Sequence, residues 1–530
     1  DDDLLEARRI IEGHKFDILI YCEIGMRMRT MLLAYSRLAP IQINTWGHSE
    51  TSGIDTIDYY IPKLFVDMHD LSLAREIPYE KLSQGLGINR MSIPDCNEDT
   101  ASLAANALLQ LIITNMIDPS EIGRIYLGTE TGLDSSKPIS SYVVEVVEDL
   151  LSDSFGNRCF KNCDIVDLTF ACIGGVDALE NCIDWVKGGE QRKAIVIATD
   201  IAKYQLGSTG EYTQGAGALS LLITENPRII SIANIWGVAS KGISDFFKPR
   251  RIFDKKDVFK EAASLMGSNP SDEEVLEILA NNASKFWNSS NKKIEIYKEE
   301  PVYQGQFSNE SYQERIYEAL DHFKNQKNIN FLTDWRFLIF HLPYAYHGRK
   351  MILEKWILWL QENGEIDNLY NEVGKEKEGN RKEWLKTVSK SNLFNEFVKE
   401  KIIPGELASA EIGNMYTGSI FMSLISLLSS ALEKGQDINN AKIGFLSYGS
   451  GSKAKIFEGT LENQWEEIIK GLDLFKKLED RIHIDIESYE KLHNNEMILP
   501  LDSSSKSIKL DKIDSDELTV GLRKYKKNII

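Results

Sequence analysis

At 530 residues, 42% of them hydrophobic, the chain is long enough for two or three core-forming units of ordinary soluble composition. A formal net charge of −19 excludes a general nucleic-acid or anionic-membrane binder, so an anionic ligand would need a local basic cluster. Six cysteines in so long a chain are no disulfide framework, and the longest mainly apolar stretches, 104–117 and 420–432, fall short of the ~20 residues of a membrane-spanning helix.

The acidic start "DDDLLEARR" is no secretory signal, and it carries no methionine, which leaves a fragment, a processed product or a gene fusion as alternatives. A soluble protein of the reducing cytoplasm is the expectation. Residues 1–53 read as helix ("LLEARRIIEGH"), short buried strand ("FDILIYC"), helix ("RTMLLAYSRL") and loop ("TWGHSETSG"). From 54 the pattern changes. "IDTIDYYIPKLFVD" alternates as a strand does and stops at Pro62. "ASLAANALLQLIITNM" is an apolar helix, "IGRIYLGTET" a strand ending in a polar turn, and "ISSYVVEVVEDLL" a helix. "CDIVDLTFA" is a strand and "VDALENCIDWVKGG" a helix closed by glycines; "RKAIVIATDIA" and "GALSLLITE" are strands. Strands alternating with helices predict an α/β architecture with buried sheets.

Residues 254–300 are charged and helical, as a surface insertion would be. "WRFLIFHLPYAYHGRK" predicts a strand running into a helix that Pro343 starts. "KEWLKTVSKSNLFNEFVKEKI" reads as a solvated helix. "IGNMYTGSIFMSLISLLSSALEKG" is a loop and a buried helix, and "KIGFLSYGSGSKAKIFEGTL" is strand, glycine turn, strand. Residues 471–530 are a helix, a polar "SSSK" segment and "IDSDELTVGLRKY". No repeat of 20–50 residues occurs, which excludes a solenoid.

Within "DLTFACIGGVDALENC" the two cysteines differ. Cys172 lies where a strand ends and a helix begins, and Gly174 and Gly175 permit a sharp turn. The field of a helix N-terminus favours thiolate, the nucleophilic form. The competing reading is a small buried hydrophobe. Cys182, mid-helix, reads as core. Cys159 and Cys163 form C-x3-C without a second pair or a nearby histidine, so free thiols are expected there rather than a zinc site. Glu130 ends a strand in "GTETGLDSSK"; burial in a cleft would raise its pKa and make it a usable base, whereas a solvated loop carboxylate is the alternative. His341 follows "WRFLIF" directly and can donate a hydrogen bond to a substrate oxygen or pack as a satisfied core histidine. His347 reads as surface. "EIGNMYTGS" and "SYGSGSK" are glycine turns whose N–H groups can face a carbonyl oxygen or phosphate, but neither has the spacing of a nucleotide-binding loop. "FFKPRRIFDKK" is a basic cluster, either a solvated face or a dock for an anionic cofactor tail.

Taken together, "GIDTIDYYIPKLFVDMHDLSLAR", "IGRIYLGTETGLDSSK", "ACIGGVDALENCIDWV", "ATDIAKY", "QGAGALSLLI", "SDFFKPRR", "FHLPYAYHGRK", "GNMYTGS" and "SYGSG" resemble, in order over some 450 residues, the 3-hydroxy-3-methylglutaryl-CoA synthases. The resemblance implies a thiolase-like fold, two similar α/β halves in αβαβα layers, in a homodimer. The halves would span 54–228, with the nucleophile cysteine, and 229–530, with the histidine and the 254–300 insertion. It implies an acyltransferase of the mevalonate pathway that condenses acetyl-CoA with acetoacetyl-CoA through an acetyl-cysteine, with no metal and no tightly bound cofactor. Cys172 would be the acetylated nucleophile, Glu130 the general base or acid and His341 the residue orienting the acetoacetyl group. Ser308, Lys350, Asn414 and Ser450 match substrate- or CoA-contacting positions. No second cysteine occupies a comparable turn, which weighs against a thiolase.

The chain departs from animal members at Phe170 and Ile173, which would reshape the acetyl pocket, and at Tyr346, where those members carry a lysine that contacts a CoA phosphate. A synthase acting on carrier-protein-bound β-ketoacyl chains for β-branching and a non-catalytic homologue are the alternative readings. Residues 1 to about 55 are instead similar to a fragment of the catalytic region of O-linked N-acetylglucosamine transferases, with the junction near 53–60. The fragment lacks the sugar-nucleotide-binding remainder, so no glycosyltransferase activity is expected from it.

Overall fold

Two mixed sheets of the same strand pattern organise the molecule. The computed structural model describes residues 2–21, 33, 38–39, 41–44, 57–281, 284, 286–287, 291–297, 299–503, 507–516 and 518–527. In the first sheet Ile57–Tyr60, Gly215–Ile223, Lys193–Ala202, Ile122–Gly128 and Asp164–Leu168 lie side by side in that order. The last three strands are mutually parallel; the first two alternate in direction. The second sheet repeats the pattern. Ile230–Ile232 and Gly237–Ser240 both pair antiparallel with Lys453–Leu461, which is antiparallel to Lys442–Gly449, which is parallel to Phe337–Phe340. Ile122–Gly128 and Phe337–Phe340 thus hold equivalent places. Asp164–Leu168, the strand that leads to Cys172, has no counterpart in the second sheet as described.

Hydrophobic pattern decides what lies between and outside the sheets. Helices Gly174–Lys187 and Ser419–Glu433 fill the middle. Val176, Leu179 and Cys182 of one, and Phe421, Leu424 and Leu428 of the other, share a core with Val196 and Leu219 from the first sheet and Ile339 and Phe445 from the second. Helices Thr100–Asn115 and Ile139–Phe155 cover the outer face of the first sheet through Leu108, Val143, Ile125 and Ile197. Helices Gly305–Gln326 and His347–Glu362 cover the second through Ile316, Ile352, Leu338 and Ile456. The result is αβαβα, the five-layered thiolase-like arrangement, in which the central strands Lys193–Ala202, Gly215–Ile223, Phe337–Phe340 and Lys442–Gly449 are buried on both faces because helices cover both.

Several local expectations change. The run 54–67 breaks at Pro62 into Ile57–Tyr60, which joins the first sheet, and Leu64–Asp67, which pairs instead with Arg90–Ile93; proline has no N–H to offer a continuous ladder. The run 382–402 is two helices, Arg381–Val388 and Asn392–Lys401, the second capped by Ser391 accepting from the Phe394 N–H. The helix after His341 begins at His347 rather than at Pro343. The 254–300 region holds helices Lys255–Leu265 and Asp272–Ala280, and an unexpected antiparallel pair, Arg250–Asp254 with Lys293–Tyr297, forms its stem. The end of the chain returns to the first half. Ile482–His483 pairs with Leu64–Asp67, and Ile508 packs in the core under helices Thr100–Asn115 and Ile139–Phe155.

Of the N-terminal fragment, helix Asp2–His14 and a parallel pair, Ile18–Tyr21 with Ile41–Asn44, are described. The helix expected over 29–38 is described only at residues 33 and 38; the loop 45–53 and the junction up to residue 56 lie outside the described residues. No helix among the described residues is long and apolar enough to cross a membrane.

Candidate active site

The site forms where the carboxyl ends of adjacent parallel strands meet the central helices. Asp164–Leu168 ends at Leu168, and the chain turns through Phe170–Ile173, with Ala171 at φ 40°, into helix Gly174–Lys187. The turn needs its glycines because two backbones touch: a Cβ on Gly128 would lie 2.2 Å from the Gly175 nitrogen, and one on Gly175 would lie 2.9 Å from the Thr417 carbonyl oxygen. Ile122–Gly128, the neighbouring strand, ends at the same edge and carries Glu130 two residues on. The Cys172 thiol therefore donates toward Glu130 across 3.8 Å, although the two are 42 positions apart in sequence.

Asp200, in strand Lys193–Ala202, fixes this corner. It is fully buried and accepts from the Thr129 hydroxyl at 3.0 Å, the Glu130 N–H at 2.9 Å and the Thr131 hydroxyl at 2.9 Å. Its other oxygen accepts from the N–H and hydroxyl of Thr417, just before the second central helix. One carboxylate thus joins the loop of Glu130 to the opposite half.

Burial sets the protonation states. It raises Glu130 to about 8; Asp200 adds to the rise, while Lys248 and the hydrogen bond from Cys172 oppose it. One oxygen of Glu130, Oε1, has no partner among the described residues, so the carboxyl has capacity for a further proton or hydrogen bond. Cys172 is raised well above an ordinary thiol by burial, then by Glu130 and Asp200, with Lys248 again opposing. This corrects the expectation from the helix N-terminus: desolvation and two carboxylates outweigh the helix field, so the resting sulfur is a thiol. His341, 2% exposed, is lowered by burial to about 3 and is a neutral imidazole; a backbone hydrogen bond with Tyr416 works the other way. Its Nδ1 lies 2.7 Å from Ser419 Oγ; that oxygen accepts from the Leu342 N–H at 3.0 Å, and its own hydroxyl proton can be donated to Nδ1, which leaves the ring N–H at Nε2. The Tyr312 hydroxyl donates to its carbonyl oxygen at 2.9 Å.

A cavity of about 840 Å³, its mouth included, gathers five of the seven residues expected from sequence: Cys172, His341, Ser308, Asn414 and Ser450. Glu130 meets it through the Cys172 contact and itself lines a second cavity behind, with Lys248, Asp99 and Arg523. Lys350 stands apart: its ammonium donates to the Gly85 carbonyl oxygen at 2.8 Å and lies 4.9 Å from the centre of the Tyr344 ring, a ring of the cavity wall. Ser308 donates to the Asp245 carbonyl oxygen at 2.8 Å, and Asn414 Oδ1 accepts from the Tyr416 N–H at 2.8 Å. Tyr204, Phe246, Tyr303 and Tyr416 supply apolar wall between these groups.

Phe170 and Ile173 do not line this cavity. Ile173 is fully buried in the central core, and Phe170 lies under the Lys453 ammonium, 4.2 Å from its ring centre. Tyr346 stacks beneath the Arg349 guanidinium at 3.8 Å and fills the space over Gly87. The basic cluster 246–256 is not a free dock: Lys248 turns in to donate to the Glu130 carbonyl oxygen at 3.4 Å, Arg250 pairs with Glu295 and Lys256 with Asp272. Cys182 is buried core, as its helical position predicts. His347 is not surface: it is 2% exposed and lines the cavity beside His341.

Sequence reasoning gave no role to Asp200, Asp245, Thr417 or Ser419, and read Lys248 only as part of the basic cluster. A lone acid near the end of the apolar run "AIVIATDIA" was the available signal for Asp200. Asp245 is buried and accepts from the Gly451 N–H and the Tyr448 hydroxyl, both at 2.7 Å, which anchors the Ser450 turn.

Family models described as hydroxymethylglutaryl-coenzyme A synthase N terminal and C terminal match residues 48–228 and 291–516. Most of the 254–300 insertion falls between the two. The hydroxymethylglutaryl-CoA synthase of Haloferax volcanii is 27% identical over 457 residues, 83% of this chain and 91% of that protein; that of Enterococcus faecalis is 27% identical over 444 residues, with the same coverage. Among solved structures, MvaS in complex with 3-hydroxy-3-methylglutaryl coenzyme A superposes with a TM-score of 0.68 at 24% identity, covering 90% of this chain and 98% of that one. The HMG synthase of the curacin biosynthetic pathway gives 0.66 at 19% identity, covering 90% and 99%.

Proposed function

The chain belongs to the hydroxymethylglutaryl-coenzyme A synthase family, and from that premise we propose a role for each side chain of the site. The protein is an acyltransferase that condenses acetyl-CoA with acetoacetyl-CoA to 3-hydroxy-3-methylglutaryl-CoA. The observation that carries the residue assignment is the 3.8 Å contact of the Cys172 thiol with a Glu130 carboxyl raised to about 8, at the wall of a cavity that also holds His341.

Cys172 sulfur attacks the thioester carbon of acetyl-CoA, and its proton passes to Glu130 as the carbon–sulfur bond forms. Main-chain N–H groups of the Cys172 turn and of the Ser450 segment, which pack together at Gly449, hold the oxyanion. Loss of one such donor costs ~2.7–4 kcal/mol of barrier. Collapse breaks the bond to CoA, whose sulfur takes the proton from Glu130. Glu130, again a carboxylate, removes a proton from the methyl of acetyl-Cys172, and the carbanion adds to the ketone carbon of acetoacetyl-CoA. A ring N–H of neutral His341 hydrogen-bonds the developing alkoxide, which is protonated from Glu130. Water then cleaves the thioester to Cys172: its oxygen goes to the acyl carbon, one of its protons to the Cys172 sulfur and the other to solvent, leaving a carboxylate on the product and a thiol on the enzyme. Ser308, Asn414 and Ser450 contact the acyl and pantetheine parts of the substrates, and Lys350 the outer CoA.

Cys96, Cys159, Cys163, Cys172 and Cys182 are free thiols, which supports a reducing cytoplasmic setting and the mevalonate pathway as its context. The half-buried Ile165, Val166 and Leu168 of Asp164–Leu168, at the sheet edge, support a homodimer.

Labelled acetyl-CoA tests the assignment. Glu130→Ala takes up label, more slowly, and does not condense; Cys172→Ser takes up none. Label on Cys172→Ser at the wild-type level would sink it. Condensation with a carrier-protein-bound β-ketoacyl chain, and none with free acetoacetyl-CoA, would move the activity to the β-branching class.

A further inference from the structure

His347 is a polar side chain with no work to do in the fold. It is 2% exposed, and both of its ring nitrogens are buried without a hydrogen-bond partner among the described residues. A buried polar group is ordinarily paired, so two unpaired nitrogens in a cavity wall mark a place where the partner comes from outside the chain. The ring is nonetheless held firmly. It stands edge-on to Tyr312 at 4.5 Å and 80°, and edge-on to Tyr344 at 4.8 Å and 89°.

The order of groups along the wall says which part of a substrate arrives there. Tyr312 also stacks on His341, at 6.2 Å and 25°, so the two imidazoles flank one tyrosine. His341 is the group beside the reacting carbon; Lys350, whose charge is felt at His347, lies further out at the Tyr344 ring. Through these rings His347 stands between His341 and Lys350, so a substrate laid along the wall with its ketone at His341 would meet His347 before its outer CoA reached Lys350. The next polar atom of a β-ketoacyl-CoA, counting outward from the ketone, is its thioester carbonyl oxygen. That atom only accepts, and a neutral imidazole has one N–H to give.

We propose that His347 is a substrate-contacting residue of the acceptor site, whose ring N–H hydrogen-bonds the thioester carbonyl of the bound β-ketoacyl-CoA and sets the affinity for that substrate without taking part in acetylation of Cys172. This rests on the functional reading above. Burial, with His341 and Lys350 nearby, holds the imidazole below its ordinary pKa and keeps it neutral, as a donor to a neutral carbonyl requires.

The test uses the full chain and its His347→Leu, His347→Met and His347→Gln variants. Two quantities are read: the rate of label uptake from acetyl-CoA, and KM for acetoacetyl-CoA at saturating acetyl-CoA. Leucine and methionine fill the space without a donor and raise KM tenfold or more, a larger loss than any fall in label uptake. Glutamine keeps an N–H and recovers at least half of that loss on a logarithmic scale. A KM within threefold of wild type in the leucine and methionine variants overturns the proposal. So does label uptake that falls in step with condensation, or a glutamine variant no better than leucine. A wild-type protein that takes no label overturns the functional reading itself, and this inference with it.

Discussion

Glu130 is expected to tie the condensation step to pH through Lys248. With a pKa of about 8, about one molecule in ten carries the carboxylate at pH 7. The base is needed ionised, so its rate should rise about tenfold per pH unit up to pH 8 and level off above it. Lys248 lowers this pKa, and its ammonium donates to the Glu130 carbonyl oxygen at 3.4 Å. A neighbouring opposite charge lowers a carboxyl pKa by roughly one to three units. Lys248→Met should therefore move the midpoint upward by one to two units and slow condensation at pH 7 by tenfold or more, with recovery on raising the pH. The assay is single-turnover consumption of acetoacetyl-CoA by enzyme already acetylated on Cys172, so that ionisation of the thiol, also raised, does not enter; acetylation also removes the Cys172 hydrogen bond that lowers Glu130, so the wild-type midpoint lies at about 8 or above and Lys248→Met is compared with wild type in the same acetylated state. His341, at about 3, stays neutral throughout and contributes no limb to the profile. A midpoint near 4.5 in the wild type, or a downward shift in Lys248→Met, would refute the account of this carboxyl.

Asp200→Asn should destabilise the protein by about 2–4 kcal/mol in denaturant unfolding, because its new amide N–H₂ must face the N–H of either Glu130 or Thr417 and leaves donors unpaired; unchanged stability would mean the tie between the halves carries no load. Gly128→Ala places its methyl 2.2 Å from the Gly175 nitrogen, backbone against backbone, so the strand must part from the helix. Loss of soluble protein or a fall of Tm by 10 °C or more is expected, and a Tm within 2 °C of wild type would contradict the packing.

Much of this was legible because it is local. The Cys172 turn announces itself as a strand, two glycines and an amphipathic helix, and Cys182 is core by helical position alone. Glu130 could not be paired with Cys172 from periodicity. Their contact arises from two parallel neighbours ending at one edge, which is a property of strand order. His347 reads as surface in the polar run "HGRK", yet it opens its helix with its ring held between Tyr312 and Tyr344, residues distant or non-periodic to it in sequence. The sign of the Cys172 shift was misjudged for a related reason. The helix end is a neighbour in sequence, while the opposing carboxylates of Glu130 and Asp200 arrive from 42 positions before and 28 after. Asp200 went unassigned because one acid in an apolar strand has no spacing partner to reveal it.

The repeated strand pattern of the two sheets has a consequence for how the chemistry is apportioned. Glu130 and His341 leave the same end of equivalent strands, Ile122–Gly128 and Phe337–Phe340. One topological address is occupied twice, by an acid in the first repeat and by an imidazole in the second. Cys172 and Glu130 belong to the first repeat and His341, Ser308, Asn414 and Ser450 to the second, so one cavity draws its groups from both. The acid and the imidazole therefore keep their places only while the two repeats stay in register, and the Asp200–Thr417 contact is a tie that spans them.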